Sequence, residues 1–270
     1  MVERGGIVGS ERVADGDGRQ YHIDCTPGDL ARFILIGGDP DRVALAERLF
    51  DNVRIRRRHR EFTTITGEYR GTEVSMMSSG IGCDNIEIVV IEASQCVERP
   101  VFIRVGSCGA LQPLCAVGDL VISESCVRRE DTSLNYAPPD HVPKADVGVL
   151  GALKRAASEL SCGFHVGVTC STSSFYGGQG RLIEGFPTRH PGVLDELRGK
   201  GVLNFEMEMS TLFTLAEIST LGLRAGGVCA VFANRTTGEF ISRENMEIAQ
   251  ERCLRVGLRA VEILAEEDGK

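Results

Sequence analysis

Short apolar runs that alternate with helix-like stretches constrain this chain more than any other feature. Arg32 to Gly38 reads Arg-Phe-Ile-Leu-Ile-Gly-Gly, and Asp41 to Leu49 follows with helical spacing. Val101 to Val105 closes on Gly106-Ser107-Cys108-Gly109, and comparable runs span 119–127, 164–172 and 223–233. An apolar run of that length is a strand buried on both faces. Glu61 to Ser78 reads as a β-hairpin leading through Gly80-Ile81-Gly82 into a helix over 84–97. Helices are also predicted over 147–160, 207–221 and 242–267. Buried strands interleaved with helices predict an α/β domain with a central mixed β-sheet flanked by helices. Such folds take ligands at the carboxyl ends of their strands.

The 270 residues show no compositional break, repeat or low-complexity linker, so a single domain is predicted over 21–270. Residues 1–20, rich in glycine and charge, are expected to form a disordered tail. The net charge of −8 argues against a nucleic-acid partner and requires that any anionic substrate be held by a few local arginines. Ten cysteines are scattered without a CxxC pair. That pattern fits neither a zinc site nor a disulfide scaffold and predicts free, buried thiols in a reducing compartment. No apolar run approaches the ~20 residues that span a bilayer. A cytoplasmic protein with no membrane partner is expected.

Two turns carry chemistry. Gly37-Gly38-Asp39-Pro40-Asp41-Arg42 suits a strand-to-helix turn, and an anion could rest on the Gly38 N–H at the positive end of the helix with Arg42 beside it. Arg104 stands inside an apolar strand, where a buried charge needs a fixed anionic partner: a structural salt bridge, or a phosphate shared with the Ser107 hydroxyl.

Six segments in order, Gly38 to Arg42, His59 to Thr64, Ser79 to Gly82, Arg104 to Gly109, Phe175 to Arg181 and Asn204 to Glu208, resemble the uridine phosphorylases of the nucleoside phosphorylase superfamily. The resemblance runs from about Tyr21 to the C-terminal helix. It implies the nucleoside phosphorylase fold, with the sheet partly closed into a barrel. It implies a phosphate site of Gly38, Arg42, Arg104 and Ser107, with Arg60 supplied by the neighbouring subunit. Asn204 to Glu208 is expected to open a helix, with Glu208 on the ribose 2′- and 3′-hydroxyls, Met207 on the sugar, Glu206 supporting the loop and the neighbour's His22 at the 5′-hydroxyl. Gln179 and Arg181 would bind the uracil edge, Phe175 would pack on the base, and Phe232 would shape the pocket around its 5-position. In some relatives a cation sits at the dimer interface, at the positions of Glu61, Ile81 and Asn85, where Asn85 replaces the usual Ser.

The implied reaction needs no cofactor. Inorganic phosphate, the co-substrate, attacks C1′ of uridine while Arg104, Gln179 and Arg181, with Arg235 in support, stabilise the developing charge, leaving uracil and ribose 1-phosphate. The small-molecule partners are the nucleoside and phosphate. The neighbour-supplied residues imply a homo-oligomer, a dimer or a hexamer of three dimers. Purine phosphorylases of the superfamily carry Asp after the late strand, where this chain has Asn234-Arg235, which favours a pyrimidine. The alternatives are a purine nucleoside phosphorylase, a nucleosidase, or a catalytically silent nucleoside-binding protein.

Overall fold

The computed structural model describes residue 7 and residues 9–269. The apolar runs form strands in one ten-stranded mixed sheet. At its centre lie β1 (Phe33–Gly37) and β5 (Val101–Ala110), parallel to each other, with β4 (Thr72–Ser78) parallel to β1 on the far side. β9 (Arg224–Asn234) pairs parallel with β5, then antiparallel with β6 (Leu120–Arg129), which pairs with β7 (Phe164–Thr172). β7 pairs with β8 (Asn204–Glu206), which returns to β5. Five strands therefore close on themselves, as the barrel-like expectation required. β10 (Glu239–Phe240) adds a short edge on β9.

Alternation along each strand feeds two cores. Phe33 and Leu35 join Val101, Ile103, Val105 and Val228 against α1 (Pro40–Glu47), α3 (Val147–Glu159) and α6 (Arg243–Asp268). Ile34 and Ile36 join Phe102, Cys229 and Val231 against α2 (Cys83–Ala93) and α5 (Met209–Ile218). With both faces covered, no alternation of polar residues could appear in the sequence of these strands. Every cysteine is free and all but Cys162 are buried. Burial pushes the thiols of Cys25, Cys96 and Cys170 up to about 12.

Four local expectations are corrected. The hairpin gains a third strand, β2 (Asn52–His59), hidden in sequence by its arginines. Three of those four charges are matched, Arg54 by Glu73 at 2.7 Å, Arg56 by Glu47 and Arg57 by Asp29. Asn204 to Glu206 is a strand rather than a helix start, because Asn204 and Phe205 complete the barrel by pairing with β5 and β7. A short helix, α4 (Val193–Gly199), was not anticipated. Part of the stretch expected as a tail makes defined contacts. Ala14 pairs with Gln20, both buried, and Tyr21 N donates to Val13 O at 3.1 Å. Residues 1–6 and 8 lie outside the described residues.

Gly67 sits where β3 (Phe62–Tyr69) meets the bulge of β2 between Val53 and Ile55. A Cβ there would lie 2.0 Å from Asn52 O. Gly151, exposed on α3, has nothing within 4 Å of an added Cβ. Gly67→Ala is expected to lose about 1–3 kcal/mol or more by forcing the strands apart, and Gly151→Ala to gain up to about 1 kcal/mol through helix propensity. Denaturant midpoints at unchanged slope would show the opposite signs.

Candidate active site

Arg104 occupies β5 two residues after Phe102, on the face that packs against α2 and α5, and is 3% exposed. Its Nε donates to Glu206 Oε2 at 3.0 Å and its Nη2 to Glu208 Oε2. Both carboxylates sit at helix N-termini, where unsatisfied N–H groups favour negative charge. Glu206, ending β8, accepts from the Glu208 N–H at 2.9 Å, from the Met209 N–H opening α5, and from the Ser171 hydroxyl. Glu208 Oε1 accepts from the Gly82 N–H at 2.8 Å, at the start of α2. Burial works against the Arg104 charge, but Glu208 and Glu206 outweigh it and hold its pKa above the ordinary value. For Glu206 burial wins over Arg104, and its pKa is raised.

Arg42, 4% exposed on α1, donates from Nη1 to Val105 O at 2.8 Å, one residue beyond Arg104. Burial, with some help from Arg104, lowers its pKa. Arg42 Nε and Arg104 Nη1 are buried and have no hydrogen-bond partner among the described residues. Asp39 caps α1 through the Asp41 N–H. Gly38 approaches so closely that a Cβ would lie 3.0 Å from Gly80 O. Ser107 lies further along β5, opposite Ala230.

A second cluster belongs to the loop after β7. Arg181 Nη1 donates to Gln179 Oε1 at 2.5 Å and to Phe175 O, and its guanidinium lies 3.9 Å from the Phe175 ring centroid. Gln179 is 2% exposed, whereas Phe175 is 48% exposed. Arg235, anchored by its N–H to Ala110 O, donates from Nη2 to Gln179 O at 3.3 Å. Burial first, and Arg235 second, push the Arg181 pKa down to about 10. Asn234 is spent on structure, its amide donating to Gln112 O and Cys115 O and its oxygen accepting from the Thr236 and Thr237 N–H groups. Phe232 is the extra residue where β9 slips against β5, and it packs on the hydrophobic core.

The third group is apart from these contacts. Arg60, at the tip of the β2–β3 turn with φ 53°, donates to Tyr21 OH at 3.1 Å. His22 Nδ1 lies 2.5 Å from Glu92 Oε1, and His59 Nδ1 lies 3.0 Å from His22 O. Near it, Gly80 separates Glu61 from Asn85, whose Nδ2 donates to Ile81 O at 3.3 Å. No group of three His, Cys, Asp or Glu residues suited to a metal occurs among the described residues. Met207, half-buried, accepts from the Cys83 thiol through its carbonyl.

Sequence reasoning missed Ser171 and Glu92. Glu92 left a trace, a carboxylate within the otherwise apolar stretch Ile88 to Ala93. Ser171 left none, because a serine at a strand end is unremarkable until its partner is known. No described helix is long and apolar enough to cross a membrane.

Comparison with known proteins agrees with this architecture. The family model of the phosphorylase superfamily matches residues 32–262. The chain is 46% identical to a uridine phosphorylase of Thermococcus kodakarensis, over 99% of this chain and 94% of that one. It is 38% identical to a uridine phosphorylase of Escherichia coli, over 89% and 96%. A guanosine phosphorylase of Halorubrum lacusprofundi is 32% identical, over 91% and 99%. Among solved structures, a Trypanosoma brucei nucleoside phosphorylase described as showing uridine phosphorylase activity superposes with a TM-score of 0.86 at 25% identity, over 92% of this chain and 98% of that one.

Arg104→Met would strand two buried carboxylates. A loss of about 3–5 kcal/mol in unfolding free energy is expected, and a smaller one when Glu206→Gln is added, measured by denaturant titration.

Proposed function

We propose that this chain, which belongs to the phosphorylase superfamily, is a uridine phosphorylase that splits uridine with inorganic phosphate into uracil and ribose 1-phosphate. The observation that carries the reading is the pair of buried arginines, Arg42 and Arg104, each with a buried N–H lacking a protein partner. A buried donor left unpaired is costly, and a phosphate bridging the two satisfies both with charge-assisted bonds. The Gly38 backbone N–H and the Ser107 hydroxyl complete the anion site, and Arg60 reaches it from a neighbouring subunit.

Glu208 then lies beside the phosphate. Its Oε1 keeps a lone pair beyond the bond from Gly82 and accepts a ribose hydroxyl. Met207 packs on the sugar. Glu206, fully bonded, holds Arg104 and the start of α5 in place. Phosphate attacks C1′ as the glycosidic bond lengthens, and its negative charge stabilises the cationic sugar. The electrons of the broken bond pass to uracil, whose growing negative charge meets donors from Gln179 and Arg181, the latter held close to Arg235. Phe175 covers the base and Phe232 backs the pocket from the core side.

The locked Asn234 amide favours a pyrimidine over a purine, since the residue at the end of β9 has no free group to protonate a purine ring. The exposed cluster of His22 and Arg60 serves a partner's site, so the working unit is at least a homodimer. A cation between subunits would take Glu61 and the Ile81 carbonyl, oxygen donors of the kind hard cations favour. Ten unpaired thiols fit the cytoplasm.

Ultraviolet detection of base release from uridine, thymidine and inosine, with and without phosphate, tests the reading. Uracil should appear only with phosphate. Release without phosphate would mean a nucleosidase, cleavage of inosine alone a purine phosphorylase, and silence on all three a binding protein. Arg181→Ala should cut kcat/KM for uridine by about 10²- to 10³-fold at unchanged stability. Glu208→Ala should weaken uridine binding while sparing free uracil; equal weakening would remove Glu208 from the sugar.

A further inference from the structure

Glu92 lies on the buried face of α2 among Ile86, Val89, Val90 and Ala93, and is 8% exposed. Among the described residues its bonds go to two, His22 and Ile23. Oε2 accepts from the His22 N–H and the Ile23 N–H, each at 3.0 Å, and Oε1 faces His22 Nδ1 at 2.5 Å. A carboxylate buried in an apolar helix face is disfavoured unless its oxygens are used, and here the segment around His22 uses both. The ring meets two further rings edge-on, Tyr21 at 4.9 Å and Phe62 at 6.3 Å between centroids, and His59 Nδ1 bonds to the His22 backbone carbonyl. His22 remains 26% exposed along its side chain, and its Nε2 has no hydrogen-bond partner among the described residues.

We infer that Glu92 is a positioning residue for recognition of the nucleoside 5′-hydroxyl. This rests on the reading of His22 given above, in which the imidazole enters the neighbouring subunit's site. A carboxylate can only accept, so Nδ1 must carry the proton. In the neutral ring Nε2 is then the acceptor, and it receives the hydrogen bond of the 5′-hydroxyl. Glu92 thus selects the tautomer as well as the ring's direction, and it never touches the substrate. The paired backbone N–H groups tie the same carboxylate to the chain on both sides of the ring, so ring and main chain are set together.

A merely structural tether would hold the segment without regard to the 5′-hydroxyl, and comparison of uridine with 5′-deoxyuridine separates the two roles. Glu92→Gln keeps the shape but places an amide among N–H donors. It should lower kcat/KM for uridine about tenfold, chiefly through KM, the effect of one lost hydrogen bond. With 5′-deoxyuridine the change should stay within about twofold, and in a His22→Ala background Glu92→Gln should add nothing. Equal losses on both substrates, or a further loss on top of His22→Ala, would overturn the inference. Nitrogen-15 resonances of the His22 ring in the intact wild-type protein, in alkaline buffer, give an answer that needs no substituted chain. Protonated Nδ1 is expected, and a proton on Nε2 would overturn the assignment. A wild-type protein inert toward uridine would sink the proposed function instead, and the tautomer measurement, which needs no turnover, tells the two failures apart.

Discussion

The buried contact of Arg104 with Glu206 and Glu208 organises the molecule. It joins β5 to the end of β8 and, through Glu208 and Gly82, to the start of α2. Ser171 extends it to β7, since its hydroxyl donates to Glu206 and accepts from the Ser210 N–H. Three charges shut away from water tolerate little displacement, because any lost partner leaves an uncompensated ion in a low-dielectric interior. The arrangement that closes the barrel is therefore also the one that fixes the direction of Arg104. Scaffold and proposed anion site share one set of bonds.

Much of this was legible in the sequence because burial on both faces leaves a simple record. The runs at Phe33–Gly37 and Val101–Val105, and the glycine turns after them, were readable as strands ending at a ligand edge. Arg104 within such a run announced a fixed anionic partner. What stayed open was which one, and the structure shows the salt bridge: Glu206 and Glu208 pair with it, while Nη1 has no partner among the described residues. The boundary at Asn204 was misread because three residues are too few for a period, and their strand character comes wholly from pairing with β5 and β7. β2 was missed for the opposite reason, as its charges are balanced by residues distant in sequence.

The loop after β7 shows a different economy. Gln179 is buried while Phe175 four residues earlier is half exposed, and Arg181 spans them with one guanidinium. Arg235, from the end of β9, meets the Gln179 carbonyl. The side chains proposed to recognise the base are thus braced against a second strand rather than left to the loop alone, which sets donors in a defined geometry.

The thiol-rich core has one more implication. In the folded chain the nine buried cysteines behave as small apolar side chains, their ionisation suppressed by burial. Unfolding removes that protection from all nine at once, and a thiol in water regains its ordinary tendency to ionise and exchange. Loss of the native state in air therefore leads on to mixed disulfides that bar the way back, so the lifetime of the folded protein under such conditions is governed by how fast it opens rather than by its equilibrium stability.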